Sequence, residues 1–344
     1  MDLGEFAGEI ETRLGRYWKG VMQKNYGYST GQKKLVTEIL DHLREHNLRP
    51  GKRFRGSLVY CGYLLSNRKV NEGVWKAAMA VELVQTGLLI QDDFMDESQE
   101  RRGKITTHKY FSQKGGEMYG NSMAVTVGDV VWNLGYDLLM TCGLEEKRIV
   151  RAASFLTDGI IETAWGQALD LTMSTRGKWT EEDVIAMHKS KTAIYTCKIP
   201  LLMGGCLGGL DDGVLDLLGK IAMDVGVAFQ IKDDVLGVFG DPKETGKSAN
   251  SDLLQGKCTL LALKALDRSE VRKVWGNKNA SEEEVAAAKQ AIKENGSLEY
   301  SLDLMRKLAG RAAKSAAKLR ELKLNSEAID YLQGIAEYMV KREV

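Results

Sequence analysis

Ala77-Ala78-Met79-Ala80-Val81-Glu82-Leu83-Val84-Gln85-Thr86-Gly87-Leu88-Leu89-Ile90-Gln91-Asp92-Asp93-Phe94-Met95-Asp96 is the stretch whose reading decides the fold. From Ala77 to Ile90 only Glu82 carries a charge. A helix apolar on every side is one buried inside a large protein. The run falls well short of the roughly 20 apolar residues of a membrane span, so no membrane span is expected. It ends in D-D-x-x-D. Positions i and i+4 share a helix face, so Asp92 and Asp96 project together. Like charges this close repel, and an apolar setting raises the cost. A hard divalent cation relieves both problems, and magnesium takes oxygen ligands while keeping several waters. Alone, the pattern also fits an exposed acidic helix end; the apolar run before it favours the metal.

The rest of the chain reads as helix too. Among 344 residues only Pro50, Pro200 and Pro242 are proline, and long helices tolerate little proline inside. Thr180-Glu181-Glu182-Asp183 and Ser281-Glu282-Glu283-Glu284 look like capped starts with acidic first turns. Asn295-Gly296 reads as a helix stop and Ser326 as the cap of the last helix. Sustained period-two alternation is missing, so strands are not expected. With no linker or composition break, residues 1–344 read as one all-α domain. The glycines from Met203 to Gly209 suggest close helix packing.

Bulk properties exclude other classes. Hydrophobic residues make up 44%, charged residues 28%, and the net charge is +1. No global field points to nucleic acid or an anionic membrane. Cys61, Cys142, Cys197, Cys206 and Cys258 are scattered without a C-x-x-C pair, which argues for a reducing cytoplasm over disulfides or zinc. The acidic start lacks the basic and apolar regions of a secretory signal.

A second acidic cluster, Asp233-Asp234-Val235-Leu236-Gly237, follows another apolar helical run, Ala228-Phe229-Gln230-Ile231-Lys232. It has no third aspartate at i+4, and alone it reads as a helix terminus. The two clusters together suggest two helices delivering carboxylates to one cavity. Magnesium on carboxylates usually handles phosphorylated substrates, and cation clusters are present to hold one. They are Lys52-Arg53-Phe54-Arg55, Arg101-Arg102, Lys189-Ser190-Lys191-Thr192, Thr245-Gly246-Lys247 and Gly256-Lys257. Arginine grips phosphate as a bidentate fork and lysine as a point charge. Gly240 to Ser248 imitates a P-loop, with one residue too many between its glycines and a helix before it. His42 and His46, spaced i, i+4, lack an H-E-x-x-H context and read as a surface helix. His108 and His188 form no cluster in sequence.

Together these residues match a family. From about Lys52 to Lys257 the chain resembles the trans-isoprenyl diphosphate synthases, or polyprenyl synthetases, of the geranylgeranyl diphosphate synthase kind. The resemblance is carried by Val81-Glu82-Leu83-Val84-Gln85, Asp92-Asp93-x-x-Asp96, Arg101-Arg102-Gly103 and Gly166-Gln167-x-x-Asp170. Lys191-Thr192-Ala193, Phe229-Gln230-x-x-Asp233-Asp234, Phe239-Gly240-Asp241 and Thr245-Gly246-Lys247 extend it. It implies a bundle of mostly antiparallel helices around one deep central cavity, normally as a homodimer. It also implies magnesium-dependent head-to-tail joining of isopentenyl diphosphate to an allylic diphosphate, with three Mg2+ per site. Lys52, Arg55, Gln85 and Arg102 would bind isopentenyl diphosphate. Asp92, Asp96 and Asp233 would ligate magnesium. Arg101, Lys191, Lys247 and Lys257 would grip the allylic diphosphate, and Thr192, Gln230 and Tyr195 would face the carbocation with Lys191 beside them. Two departures stand out: Gly237 replaces an aspartate of many relatives, and Arg49-Pro50-Gly51-Lys52 replaces a double glycine before lysine.

By the same resemblance, the growing chain runs past Leu88, Gly87 and Val84. None is aromatic, so the floor at this level is open and the expected product is geranylgeranyl diphosphate; Trp132 or Met123 on another helix is the alternative closure. Farnesyl or longer products, a class I terpene cyclase and an inactive regulatory subunit are the competing readings.

Overall fold

The computed structural model describes residues 3–176, 178–240 and 250–341. In chain order the described helices are α1 (Leu3–Met22), α2 (Thr30–Asn47), α3 (Phe54–Leu64), α4 (Glu72–Met95), α5 (Thr107–Gly115), α6 (Glu117–Met140), α7 (Glu146–Arg176) and α8 (Glu181–Met187). A π-helical stretch, His188–Lys198, runs on from α8 into α9 (Ile199–Gly208) and is followed by α10 (Asp212–Phe239). The remainder are α11 (Ser251–Leu254), α12 (Leu260–Ala265), α13 (Ser269–Val274), α14 (Glu282–Glu294), α15 (Ser297–Lys318) and α16 (Ser326–Lys341). The protein is all-α, as the sequence indicates, and it divides into two compact units. One comprises residues 1–60 and 69–153, the other residues 61–68 and 154–344.

In the first unit α4 is the spine. Asn71 caps it, its side chain accepting from the backbone N–H groups of Gly73 (2.9 Å) and Val74 (3.3 Å), which satisfies two donors a helix start leaves open. By length and composition α4 is apolar enough to cross a membrane, yet 78% of its apolar window is buried within the protein. It is a core helix. Helix α6 lies along it at close range because glycines face it. A Cβ on Gly135 would stand 2.7 Å from Val84 Cγ2 and 2.8 Å from the Ala80 carbonyl. Glu82, the one charge in the apolar run, is buried but answered: its carboxylate accepts from Gly56 N–H at 2.9 Å and lies 3.7 Å from Arg53.

Two sequence expectations need correction here. Glu100–Arg101 (β1) and Lys104–Ile105 (β2) pair antiparallel, with Arg102 and Gly103 at positive φ between them (54° and 70°). Two-residue strands carry no readable alternation, so only the two-residue turn between them could have signalled this hairpin. His42 and His46 do not lie on a surface. They are 7% and 4% exposed, and the His42 ring stacks on Tyr110 at 4.3 Å with Nε2 3.0 Å from Thr107 Oγ1.

In the second unit, every residue of α9 is buried. Its glycines do permit close approach: a Cβ on Gly205 would stand 2.9 Å from Leu215 Cδ2, and one on Gly208 2.7 Å from Ser66 Oγ. Helix α10 packs equally tightly on the π-helical stretch, since a Cβ on Gly226 would come within 2.5 Å of Ala193. The caps at Thr180 and Ser281 are full capping boxes, and α14 stops at Asn295-Gly296 as expected. The last helix is capped by Asn325 instead of Ser326, its Oδ1 accepting from Ala328 N–H at 3.1 Å.

Burial holds His42 neutral, pushing its pKa down to about 4, and pushes His46 well below the usual imidazole range. Unfolded, both rings take up protons near pH 6.5. The unfolded state therefore binds more protons between pH 6.5 and 4, and stability falls as pH drops through that window. For His42 the loss approaches about 3 kcal/mol at its lower end. Thermal melts from pH 7.5 to 4.5 should show this slope, and His42→Gln should flatten it; an equally steep slope in the variant would contradict the assignment.

Candidate active site

The first acidic cluster sits where α4 ends. Asp92 lies in the last turn and Asp96 is the C-terminal cap residue, its backbone N–H bonded to the Asp92 carbonyl at 2.8 Å. Gln85, Leu88, Leu89, Asp92 and Asp96 are partly exposed while most neighbours are buried. Spacings of three, four and seven place them on one stripe of the helix. Asp93 points the other way and is wholly buried. The Arg101 guanidinium meets it, Nε at 2.7 Å and Nη2 at 2.6 Å, both on Oδ1, and reaches Asp92 Oδ2 at 3.4 Å. Asp93 Oδ2 is left buried without a hydrogen-bond partner. Burial pushes the Asp93 pKa up to about 6 against the pull of Arg101. For Arg101, burial works against the charge, but Asp93, Asp92 and Asp96 outweigh it and hold the pKa above its ordinary value.

The hairpin aims Arg101, and other arginines hold the hairpin. Arg49 donates to the carbonyls of Arg101 (3.2 Å) and Ile105 (3.0 Å) and pairs with Glu45 at 2.8 Å. Arg102 donates to the Arg49 carbonyl at 3.1 Å and lies flat on Gly51, where a Cβ would come within 2.9 Å of its guanidinium. Arg53, at φ 50°, donates to the carbonyls of Asn47 (2.8 Å) and Arg49 (3.1 Å). Burial, then the neighbouring Arg53, push the Arg102 pKa down to about 10. These side chains surround a polar pocket lined by Gln85 and Arg102, joined by His46, Arg49, Arg53 and Arg101. Lys52 is exposed and Arg55 half-buried, and neither is part of that lining. Arg53 was read from sequence only as one cation of the Lys52–Arg55 cluster and Arg49 not as a site residue, because in sequence a buried cation looks like a surface one.

Along α4 toward the core, the three residues expected to set chain length differ in their surroundings. Leu88 is on the half-exposed stripe, Val84 is fully buried, and a Cβ on Gly87 would overlap the Trp132 indole of α6. The Trp132 indole thus covers the Gly87 face of α4.

In the second unit the π-helical stretch presents the Lys191-Thr192 motif. Such windings are rare and are frequently found at functional sites. Lys191 Nζ pairs with Asp170 of α7 at 2.6 Å. The two helices meet so closely because Gly166 has no side chain; a Cβ there would overlap the Lys191 backbone. Thr192 Oγ1 donates to Gln230 Oε1 of α10 at 2.6 Å, and Tyr195 is 2% exposed. Asp233 is half-buried on α10. Gly237 has a physical reason: a Cβ there would overlap Asp252 of α11, whose carboxylate takes the room an aspartate at 237 would need. Lys257 is held by its carbonyl, which accepts from Trp275 Nε1 at 3.2 Å. Lys247 and Asp241 lie outside the described residues.

Among the described residues no group of three or more His, Cys, Asp or Glu forms a closed metal cage. One or two hard carboxylates with open positions suit magnesium, which is commonly bound that way together with substrate phosphates. Asp92 and Asp96, four residues apart at the end of α4, are carboxylates of that kind.

Residues 37–294 match the polyprenyl synthetase family, and the chain belongs to it. The geranylgeranyl diphosphate synthase of Saccharolobus solfataricus is 34% identical, over 99% of this chain and 98% of the relative. The geranylfarnesyl diphosphate synthase of Aeropyrum pernix is 29% identical, over 85% of this chain and 90% of the relative. A crystal structure of geranylgeranyl pyrophosphate synthase from Corynebacterium glutamicum, complexed with isoprenyl diphosphate and magnesium, superposes with a TM-score of 0.89 at 28% identity, covering all of both chains. This protein is a prenyltransferase of that family, acting in prenyl diphosphate condensation.

The contact between Gly166 and Lys191 gives a direct test of the second cluster. Gly166→Ala should lower stability by about 1–3 kcal/mol, the usual cost of overpacking, seen as a reduced denaturant midpoint. An unchanged midpoint would mean that α7 does not pack on this backbone.

Proposed function

We propose that this protein condenses isopentenyl diphosphate head to tail with an allylic diphosphate, with magnesium, and releases geranylgeranyl diphosphate. The carrying observation is the pairing of Asp92 and Asp96 on one stripe of α4 with Gln85 and the arginine-lined pocket two turns away. In this reading Lys52, Arg55, Gln85 and Arg102 bind isopentenyl diphosphate, with Arg49 and Arg53 supplying positive potential. Asp92, Asp96 and Asp233 hold up to three Mg2+, and Arg101, Lys191, Lys247 and Lys257 hold the allylic diphosphate. Magnesium, when bound, neutralises charge on the departing diphosphate. The cations do the same from the protein side. As the allylic C–O bond breaks, the oxygen dipoles of Thr192, Gln230 and Tyr195 face the carbon left positive. The double bond of isopentenyl diphosphate attacks that carbon, and a proton leaves to the departing diphosphate. The apolar residues below Asp92 exclude water, which would otherwise capture the cation. A homodimer in the cytoplasm is part of the reading.

Geranylgeranyl is favoured because Leu88 and Gly87 are not aromatic, while the Trp132 indole over Gly87 limits further growth. Labelled isopentenyl diphosphate, magnesium and dimethylallyl, geranyl or farnesyl primers should yield geranylgeraniol after dephosphorylation, sized by mass spectrometry. No elongation of any primer would overturn the reading. Leu88→Phe should shorten the product and Trp132→Ala lengthen it; unchanged mixtures in both would move the floor elsewhere. Asp92→Ala should abolish turnover while leaving the helical circular dichroism intact, and full activity in that variant would defeat the metal assignment.

A further inference from the structure

His188 is wholly buried at the start of the π-helical stretch, and the roles proposed above do not use it. Its Nε2 lies 3.0 Å from Asp234 Oδ2 on α10. The contact is at ion-pair distance, with the ring N–H turned off the oxygen so that it makes no aligned hydrogen bond. Asp234 is itself only 6% exposed. Its other oxygen, Oδ1, accepts from Gln230 Nε2 at 2.6 Å. The carbonyl end of the same amide accepts from Thr192 Oγ1 at 2.6 Å. His188 and Thr192 are four residues apart on one element, as are Gln230 and Asp234 on the other. The four side chains therefore form a ladder with two rungs across the seam where Gly226 lets the backbones touch.

The ladder has a direction. An ionised carboxylate only accepts hydrogen bonds, so Asp234 compels Gln230 to turn its NH2 inward and its carbonyl toward Thr192. That carbonyl then takes the one hydroxyl proton of Thr192, leaving the hydroxyl's lone pairs as what Thr192 can offer. Without Asp234 fixed in place the amide could turn over, and Thr192 would present its proton to a developing cation instead. An imidazole against Asp234 Oδ2 holds the carboxylate from behind, in a place that an apolar side chain would fill without holding anything.

We propose that His188 is a positioning residue for the condensation: through Asp234 and Gln230 it orients the Thr192 hydroxyl so that its lone pairs remain available to the allylic cation. This rests on the prenyl condensation reading, but the ladder can be tested without turnover. The chain has four histidines, so nitrogen-15 spectra of histidine-labelled protein contain four ring systems. The pair of signals lost in His188→Gln identifies this ring, and Asp234→Asn should shift that pair while leaving the other three in place. Kinetically, His188→Leu should lower kcat about tenfold, the lower end for a group that orients another. Its KM for isopentenyl diphosphate should stay within about twofold, because uniform binding is not what was removed. His188→Gln, which keeps a polar group of similar reach against Asp234 Oδ2, should recover most of kcat. An unshifted His188 signal in Asp234→Asn would overturn the proposal, as would equal kcat losses in the Leu and Gln variants or no loss in either. If the wild-type protein elongates no primer, the condensation reading fails, while the spectra still decide whether the ladder exists.

Discussion

Three carboxylates at the foot of an apolar helix set the terms for the first unit. Asp92, Asp93 and Asp96 repel one another, and Asp93 is buried among apolar neighbours where a lone charge is expensive. Arg101 is the counter-charge the structure supplies, on Asp93 at 2.6 Å and on Asp92 at 3.4 Å. Everything around it keeps Arg101 there: the hairpin carries it, Arg49 clamps the hairpin, and Arg102 and Arg53 tie the Arg49 carbonyl in turn. One guanidinium cannot satisfy all three acids. Asp92 and Asp96 add two further carboxylates at the partly exposed end of the helix, and this concentration of negative charge makes the proposed magnesium role physically sensible.

The second unit solves a different problem, how to hold neutral dipoles in fixed directions. Its means are close backbone contacts at Gly166 and Gly226 and short hydrogen bonds between the π-helical stretch and α10. Rigid placement matters more here than charge, because a preoriented dipole acts on a transient cation without having to reorganise. In the proposed chemistry the first unit supplies the side chains for isopentenyl diphosphate, and the second adds to its lysines and Asp233 the dipoles that face the allylic carbon.

How much of this was legible depended on whether the signal was local. The apolar run into Asp92-Asp93 announced α4, and the capping residues Thr180 and Ser281 announced their helices, because in each case the cause lies within a few residues of the effect. The hairpin was not legible, since two-residue strands have no period. His42 and His46 were misjudged because spacing tells which residues share a face, not what packs on it. Arg49, Arg53 and Asp252 act through partners distant in sequence or through space that a glycine leaves. His188 stood alone in the sequence because its partner lies on α10, 46 residues later.

Isothermal titration with an unreactive allylic thiodiphosphate, in the presence and absence of magnesium, tests the central claim most directly. The account predicts strong binding with magnesium, little without it, and loss of the magnesium dependence in Asp92→Asn. Equal affinity with and without the metal, or a wild-type response in Asp92→Asn, would show that the α4 carboxylates do not hold a cation for the substrate.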